Sequence, residues 1–218
     1  MASDTKFDSV HEGPGLILVV DDDEPLRKSL DNLLRSVGFE VELFESATEL
    51  LEFEFPDVPT SILLDVRLRG QSGLDLQSML AALKVDAPIV FMTGFGDIPM
   101  SVSAMKAGAH DFLPKPIRDQ DLLDAINGSL EKHRALRAGR AKLLQIAACY
   151  RTLTAREAQV LGYAATGMLN KQIAAELGIS EVTVKIHRGT MMKKMNARNF
   201  AELVLQAQQL GLCAVEPN

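Results

Sequence analysis

The chain has only two cysteines, Cys149 and Cys213, far apart and without a His or Cys partner at the spacing a metal site needs. A disulfide framework or a structural zinc is therefore not expected, and free buried thiols in a reducing compartment are the simplest reading. No apolar run approaches the roughly 18 residues that mark a membrane-spanning helix. The first residues lack a basic stretch followed by an apolar core, so a secretory signal is not expected either. Met1 to Gly15 reads as a loose polar leader, and a cytoplasmic location is expected.

Positive charge is scarce in the first part of the chain and negative charge in the second. Residues 1 to 130 carry 10 Lys/Arg against 23 Asp/Glu, a net of −13, whereas residues 131 to 218 carry 13 against 6, a net of +7. A length of 218 residues accommodates one or two domains. The asymmetry favours two, of which only the second suits a polyanion.

What is present in the acidic part is a series of short apolar runs. Leu16-Ile17-Leu18-Val19-Val20 and Ile62-Leu63-Leu64 read as strands buried on both faces of a parallel sheet. The first runs into Asp21, Asp22 and Asp23, the second into Asp65. Pro25 is expected to open a helix with Leu26, Leu30, Leu33, Leu34 and Val37 on one face, stopped by Gly38. Phe39, Val41 and Leu43 alternate with Glu40 and Glu42, which predicts a half-exposed edge strand. Ala47 to Phe55 predicts a short helix closed by Pro56 and Pro59, and a later helix places Leu76, Met79, Leu80 and Leu83 on one face. Ile89-Val90-Phe91-Met92 ends at Thr93, a helix around Pro99 to Lys106 stops at Gly108, and Asp111-Phe112-Leu113-Pro114 leads to Lys115. Strands alternating with helices in this way predict a flavodoxin-like, five-stranded parallel α/β sheet.

Ligands of such a sheet bind at the carboxyl ends of its strands. Asp21, Asp22, Asp65, Thr93 and Lys115 all fall on that edge. Carboxylates this close repel unless a hard cation lies among them, and Mg²⁺ takes oxygen ligands of this kind. An aspartate is a competent nucleophile toward phosphorus, and a hydroxyl with an ammonium can hold the transferred oxygens. The constellation reads as an aspartate that accepts a phosphoryl group. Asp23, one residue further into the loop, reads as a solvent-facing bystander.

Val19-Val20-Asp21-Asp22-Asp23-Glu24-Pro25, Leu64-Asp65-Val66-Arg67-Leu68, Met92-Thr93-Gly94 and Lys115-Pro116 resemble the receiver domain of bacterial two-component response regulators, over about residues 16 to 133. The resemblance implies that Asp65 is the phospho-acceptor and that Asp21 and Asp22, with Asp65 and the Arg67 backbone carbonyl, organise Mg²⁺. It also implies that Thr93 and Lys115 bind the phosphoryl group and that Lys115-Pro116 is cis. Thr93 and Phe112 would form the switch, although phenylalanine at that place is equally ordinary core. The face from Ile98 to Gly108 and Phe112 to Leu130 would dimerise on phosphorylation. One departure is Arg69, where the family usually has proline; this leaves the stiffness of that loop and the phosphoryl lifetime open.

Asp119 to Ala148 favours helix, with Gly128 and Gly139 inside it and Lys132, Arg134, Arg137, Arg140 and Lys142 along it. An exposed helical linker over 134 to 149, with a hinge near Gly139, is expected. Beyond it, Thr154 and Glu157 form a capping box, Gly167 ends the helix so begun, Asn170 is expected to cap a short helix to Leu177, and Ser180 caps one from Glu181 to about Met195. Two helices joined by Gly178-Ile179-Ser180 predict a helix-turn-helix. At about 100° per residue, Val184, Met191 and Met195 fall on the core face, flanked by His187 and Arg188. Val182, Lys185, Ile186, Gly189 and Lys193 fall on the other, where apolar side chains suit thymine methyl groups and lysines suit bases or phosphates.

Leu153-Thr154-Ala155-Arg156-Glu157, Asn170-Lys171-Gln172-Ile173-Ala174 and Thr183-Val184-Lys185-Ile186-His187-Arg188 resemble the LuxR-type DNA-binding domain over about residues 150 to 212, with a tail from 213 to 218. With the receiver this implies the NarL/FixJ class, and Asp97-Ile98-Pro99-Met100 and Ala104-Met105-Lys106-Ala107-Gly108-Ala109 lean toward its FixJ branch. The DNA-contacting set is then Thr154, Asn170, Lys171, Ser180, Val182, Thr183, Lys185, Ile186, His187, Arg188, Gly189 and Lys193, and the helix from Phe200 to Leu210 would pair two subunits. The expected protein is a phosphorylation-controlled activator of transcription, not an enzyme. It would be served by a sensor histidine kinase and Mg²⁺, and would bind double-stranded promoter DNA as a homodimer beside RNA polymerase. Two rivals remain: a regulator whose receiver is an unphosphorylated, partner-controlled scaffold, and a Mg²⁺-dependent phosphohydrolase. The second would need a carboxylate two residues after the nucleophile, where Arg67 stands.

Overall fold

The computed structural model describes residues 15–94 and 98–212. The expected leader up to Pro14, the expected tail from Cys213 and Asp97 lie outside these residues. The chain divides into two compact units after Arg137.

The first unit is built on strands β1 (Leu16–Val20), β2 (Glu40–Phe44), β3 (Thr60–Asp65), β4 (Ile89–Thr93) and β5 (Asp111–Pro114). They form one sheet in the order β2-β1-β3-β4-β5, every pairing parallel. Successive side chains of a strand point to opposite faces, so the apolar runs supply two cores at once. Leu16, Leu18, Val20, Ile62, Leu64, Ile89 and Phe91 enter one, while Ile17, Val19, Leu63, Val90 and Met92 enter the other. Between the strands lie α1 (Glu24–Ser36), α2 (Ala47–Glu52), α3 (Gly73–Ala82) and α4 (Ile98–Lys106), and α5 (Asp119–Arg151) follows β5.

Several boundaries differ from expectation. Helix α2 stops at Glu52, because Phe53 turns extended and packs edge-on against Phe44 at 5.3 Å between ring centroids. On the edge strand β2, Val41 is buried as expected, but Leu43 is exposed and Phe44 buried, since the Phe44 face is covered by that aromatic contact. Val37, Met79 and Leu83 are exposed, because Leu30 and Leu34 in α1, and Leu76 and Leu80 in α3, already fill the narrow stripe each helix turns to the sheet. Helix α5 runs through Gly128 and Gly139 without a break. Its expected linker stretch is not wholly exposed: Leu143 and Leu144 are exposed, whereas Ile146 is buried in the core of the second unit.

Between β3 and α3, Arg67–Leu68 and Gln71–Ser72 pair antiparallel around a two-residue turn. Gly70 takes φ +81° there and Arg69 does not enter positive φ, the pattern of a type II turn. That arrangement accepts proline or another L-residue at Arg69 and places glycine where positive φ is required. The turn therefore survives without proline.

A polar seam joins the start of β3 to α5. The Ser129 and Ser61 hydroxyls bond to each other, and Thr60 N–H donates to His133 Nδ1 at 2.7 Å. Arg137 pairs with Asp57 at 2.9 Å. These α5 residues are spaced four apart, so they share one face of the helix.

In the second unit, α6 (Ala155–Ala165), α7 (Asn170–Leu177), α8 (Glu181–Lys194) and α9 (Phe200–Gln209) enclose a core of Ile146, Val160, Leu161, Ile173, Val184, Met191, Met195 and Leu203. Thr154 Oγ1 accepts from Glu157 N–H, and Glu157 accepts from Thr154 N–H at 2.7 Å, the expected reciprocal cap. Ser180 caps α8, accepting from Thr183 N–H at 3.1 Å, and Gly178 closes α7 at φ +64°. Asn170 is not the cap of α7. Leu169 holds that position, its N–H satisfied by Gln172 Oε1 at 2.8 Å, and Asn170 is already helical.

Candidate functional site

Register sets the first pocket. Val20 lies opposite Leu64, so Asp21 follows β1 beside the place where Asp65 ends β3. Asp65 in turn pairs with Met92, one residue before Thr93, and Thr93 pairs with Pro114, one residue before Lys115. The carboxylates of Asp21, Asp22 and Asp65 bring oxygens within 4.8 Å of one another. Asp21 is fully buried, Asp65 and Thr93 are nearly so, and Asp22 is half-buried. Lys115 Nζ bridges Asp21 Oδ2 at 2.7 Å and Asp65 Oδ2 at 2.6 Å across the cis Lys115-Pro116 edge. Arg67 N–H donates to Asp65 Oδ1 at 3.0 Å while its side chain is exposed. Phe112 is half-buried, 6.1 Å from Phe91 between ring centroids.

Burial pushes the Asp21 carboxyl above its ordinary range, against the pull of the Lys115 hydrogen bond. For Lys115, burial works toward deprotonation, but its bonds to Asp21 and Asp65 outweigh it and hold the ammonium above its ordinary value. The pocket thus keeps a cation against the Asp65 carboxylate. All donors are oxygens, and three carboxylates around one point are the set that a hard divalent cation such as Mg²⁺ takes.

Three participants escape the sequence reading. Asp23 is exposed, yet its N–H donates to Asp21 Oδ1 at 2.8 Å and its Oδ1 accepts from Leu26 N–H at 3.2 Å as the N-cap of α1. An Asp two residues before a proline at a helix start carries that signal. Arg27 is buried and donates to the Asp21 carbonyl. Arg69 Nε pairs with Asp22 Oδ2 at 2.8 Å.

The second candidate surface is on α8. Val182 and Ile186 are 65% and 62% exposed, with Lys185, Gly189 and Lys193 also exposed beside them. A Cβ added at Gly189 would meet nothing within 4 Å. Lys171 and Thr154 are exposed; Ser180 and Thr183 are engaged in the cap of α8. His187 is half-buried. Arg188 is committed inside the unit: Nη1 donates to Asn170 Oδ1 at 2.6 Å, and its guanidinium carbon stands 3.9 Å from the centre of the Phe200 ring. Two residues expected to face DNA therefore bind each other.

Residues 17–127 match the response regulator receiver domain family, and residues 151–207 match the bacterial regulatory proteins of the luxR family. The chain belongs to the response regulators with a LuxR-type domain. Nodulation protein W of Bradyrhizobium diazoefficiens is 51% identical over 199 residues, 91% of this chain and 88% of that protein. The transcriptional regulatory protein FixJ of Rhizobium meliloti is 43% identical over 190 residues, 87% of this chain and 93% of that protein. Among solved structures, the response regulator StyR is 48% identical with a TM-score of 0.78, covering 90% of this chain and all of that one. These relatives place this response regulator in the FixJ branch of the NarL/FixJ class, a two-component transcriptional regulator with a DNA-binding domain. Among the described residues no helix is long and apolar enough to cross a membrane.

Proposed function

We propose that this response regulator accepts a phosphoryl group on Asp65 from the phosphohistidine of a sensor kinase and, so modified, pairs with a second copy and activates transcription at promoter DNA. The observation that carries the reading is the shared contact of Lys115 Nζ with Asp21 and Asp65 at the carboxyl edge of the sheet. An Asp65 carboxylate oxygen forms the new bond to phosphorus as the phosphorus–nitrogen bond to the donor imidazole breaks, and the electron pair leaves with that imidazole. Lys115 holds a positive charge within reach of the transferred oxygens, and the Thr93 hydroxyl at the end of β4 offers a donor to them. Asp21, Asp22 and Asp65, with the Arg67 carbonyl, would hold Mg²⁺. When bound, the ion neutralises charge on the phosphoryl oxygens. The chain is not an enzyme toward other substrates on this reading, and it works in the cytoplasm.

The receiver spans about residues 16 to 133, and the helix-turn-helix domain about 150 to 212. Val182, Lys185, Ile186 and Lys193 on α8 face the major groove, with Gly189 allowing close approach and Thr154, Lys171, Ser180, Thr183 and His187 lying nearer the backbone. Asn170 and Arg188 support that face from behind. Two such domains suit an inverted repeat with half-sites about one helical turn apart, in reach of RNA polymerase. The test compares the wild-type chain and Asp65→Ala with Mg²⁺, with and without acetyl phosphate, by sedimentation and by affinity for a promoter fragment. Dimerisation and tighter binding by the wild type alone support the reading. Identical behaviour of the two proteins overturns it in favour of a partner-controlled scaffold.

A further inference from the structure

Each of the three pocket carboxylates already has a cation of the chain's own. Lys115 serves Asp21 and Asp65, and Arg69 Nε stands 2.8 Å from Asp22 Oδ2. The two contacts differ in kind. Lys115 reaches in from the sheet edge onto largely buried carboxylates, whereas the Arg69 side chain is 81% exposed and its partner Asp22 is the outermost of the three. Arg69 is nevertheless not carried on a long free loop. It occupies the first place of a two-residue turn whose flanks pair as Arg67↔Ser72 and Leu68↔Gln71, with Gly70 at φ +81° closing it. The hairpin therefore tethers the guanidinium beside Asp22.

We propose that Arg69 is a tethered competitor for the divalent cation, occupying Asp22 when the pocket holds no metal and so raising the Mg²⁺ concentration at which the pocket fills. The inference rests on the receiver reading of this pocket and adds a regulator to it. The competition is that of one positive charge of the chain against the ion for one carboxylate. It depends on ionic strength, because an exposed pair is screened by salt. Mg²⁺ entering beside Asp21 and Asp65 requires the guanidinium to yield Asp22, and what it loses is one exposed ion pair. The size of the effect follows from that: a shift in apparent affinity of roughly two- to five-fold at low salt. A response regulator with this device would need roughly two- to five-fold more Mg²⁺ to fill the pocket to the same extent at low salt.

The chain contains no tryptophan, so Mg²⁺ binding is best followed by titration calorimetry of the full chain at low salt. Arg69→Ala, Arg69→Lys and Lys132→Ala are compared with the wild type, the last removing one positive charge from the exposed surface of α5. Arg69→Ala is expected to bind Mg²⁺ two- to five-fold more tightly, with Arg69→Lys near the wild type and Lys132→Ala unchanged. The advantage of Arg69→Ala should disappear toward about 1 M salt, where the screening length falls to about 3 Å. Equal or weaker binding by Arg69→Ala overturns the proposal while leaving the metal pocket intact. The same gain in Lys132→Ala also overturns it, since the effect would then be one of net charge. No Mg²⁺ binding by any of the four proteins overturns the proposed metal-dependent phospho-acceptor role of the pocket, on which the inference rests.

Discussion

The Lys115 ammonium lies 2.6 Å from Asp65 and 2.7 Å from the fully buried Asp21, so one cation is shared by the carboxylate that ends β3 and by the deepest carboxylate of the pocket. Removing it leaves two like charges facing each other with nothing between them. Lys115→Ala is expected to lose about 1–3 kcal/mol of receiver stability in chelator, less than for a wholly buried pair because Lys115 retains some access to water. Mg²⁺ should return part of that loss, since the ion replaces the missing charge. Urea denaturation with EDTA and with Mg²⁺ measures both, and equal stability of variant and wild type in EDTA contradicts the expectation.

The polar seam under β3 predicts a pH dependence. His133 is buried and accepts an N–H from Thr60, which only the neutral ring can do at that nitrogen, and burial holds the imidazole below its ordinary value of 6.5. Because the folded chain binds this proton less readily than the unfolded one, the contribution is present in full above about pH 6.5 and lost as pH falls through the lowered value. Asp57 and Asp86 favour the charged ring and Arg137 opposes it. His110 is shifted in the same direction, so the observable is a difference. Wild type should lose more stability than His133→Gln between pH 7.5 and 5, and parallel curves would remove His133 as the cause.

In the second unit, Arg188 between Asn170 and Phe200 is predicted to be structural. Arg188→Ala removes a hydrogen bond and a ring contact together, at a cost of about 1–3 kcal/mol. Arg188→Lys should recover little of it, since an ammonium lacks the planar fork. Thermal melts of the full chain decide this; a variant that melts with the wild type but binds DNA poorly would return Arg188 to the DNA-facing set.

The exposed face of α8 should behave in the opposite way. Val182→Ala and Ile186→Ala are expected within about 0.5 kcal/mol of wild-type stability and to weaken discrimination between promoter sequences. Lys193→Ala should weaken all sequences alike and lower the salt slope by about one if it contacts a phosphate. Quantitative binding at several salt concentrations separates the two classes.

The sheet and its acidic edge are readable in the chain because an unbroken aliphatic run followed by Asp, Thr or Lys has few other uses. Helical faces are less so: the spacing of Val37, Met79 and Leu83 marks them as apolar neighbours of the core but does not say how wide a stripe the sheet covers. Arg188 illustrates a second limit, since the helical period places it on the flank of the core face and only the position of Phe200 on α9 decides that it turns inward. Arg69 illustrates a third. Its partner lies 47 positions earlier in the chain, and nothing local announces a pairing made by the tip of a two-residue turn.

The run Asp21-Asp22-Asp23 is one letter written three times, but the fold gives each copy its own neighbour: Lys115 for the first, Arg69 for the second, and the opening turn of α1 for the third. Substitution tolerance should therefore climb along the run. The third place admits any short side chain that caps a helix, Asn or Ser as readily as Asp, the second requires a carboxylate whose partner can be exchanged, and the first requires a carboxylate that is never released to solvent. A block of identical acids is thus a graded sequence of constraints, and related chains should diverge through it from its far end inward.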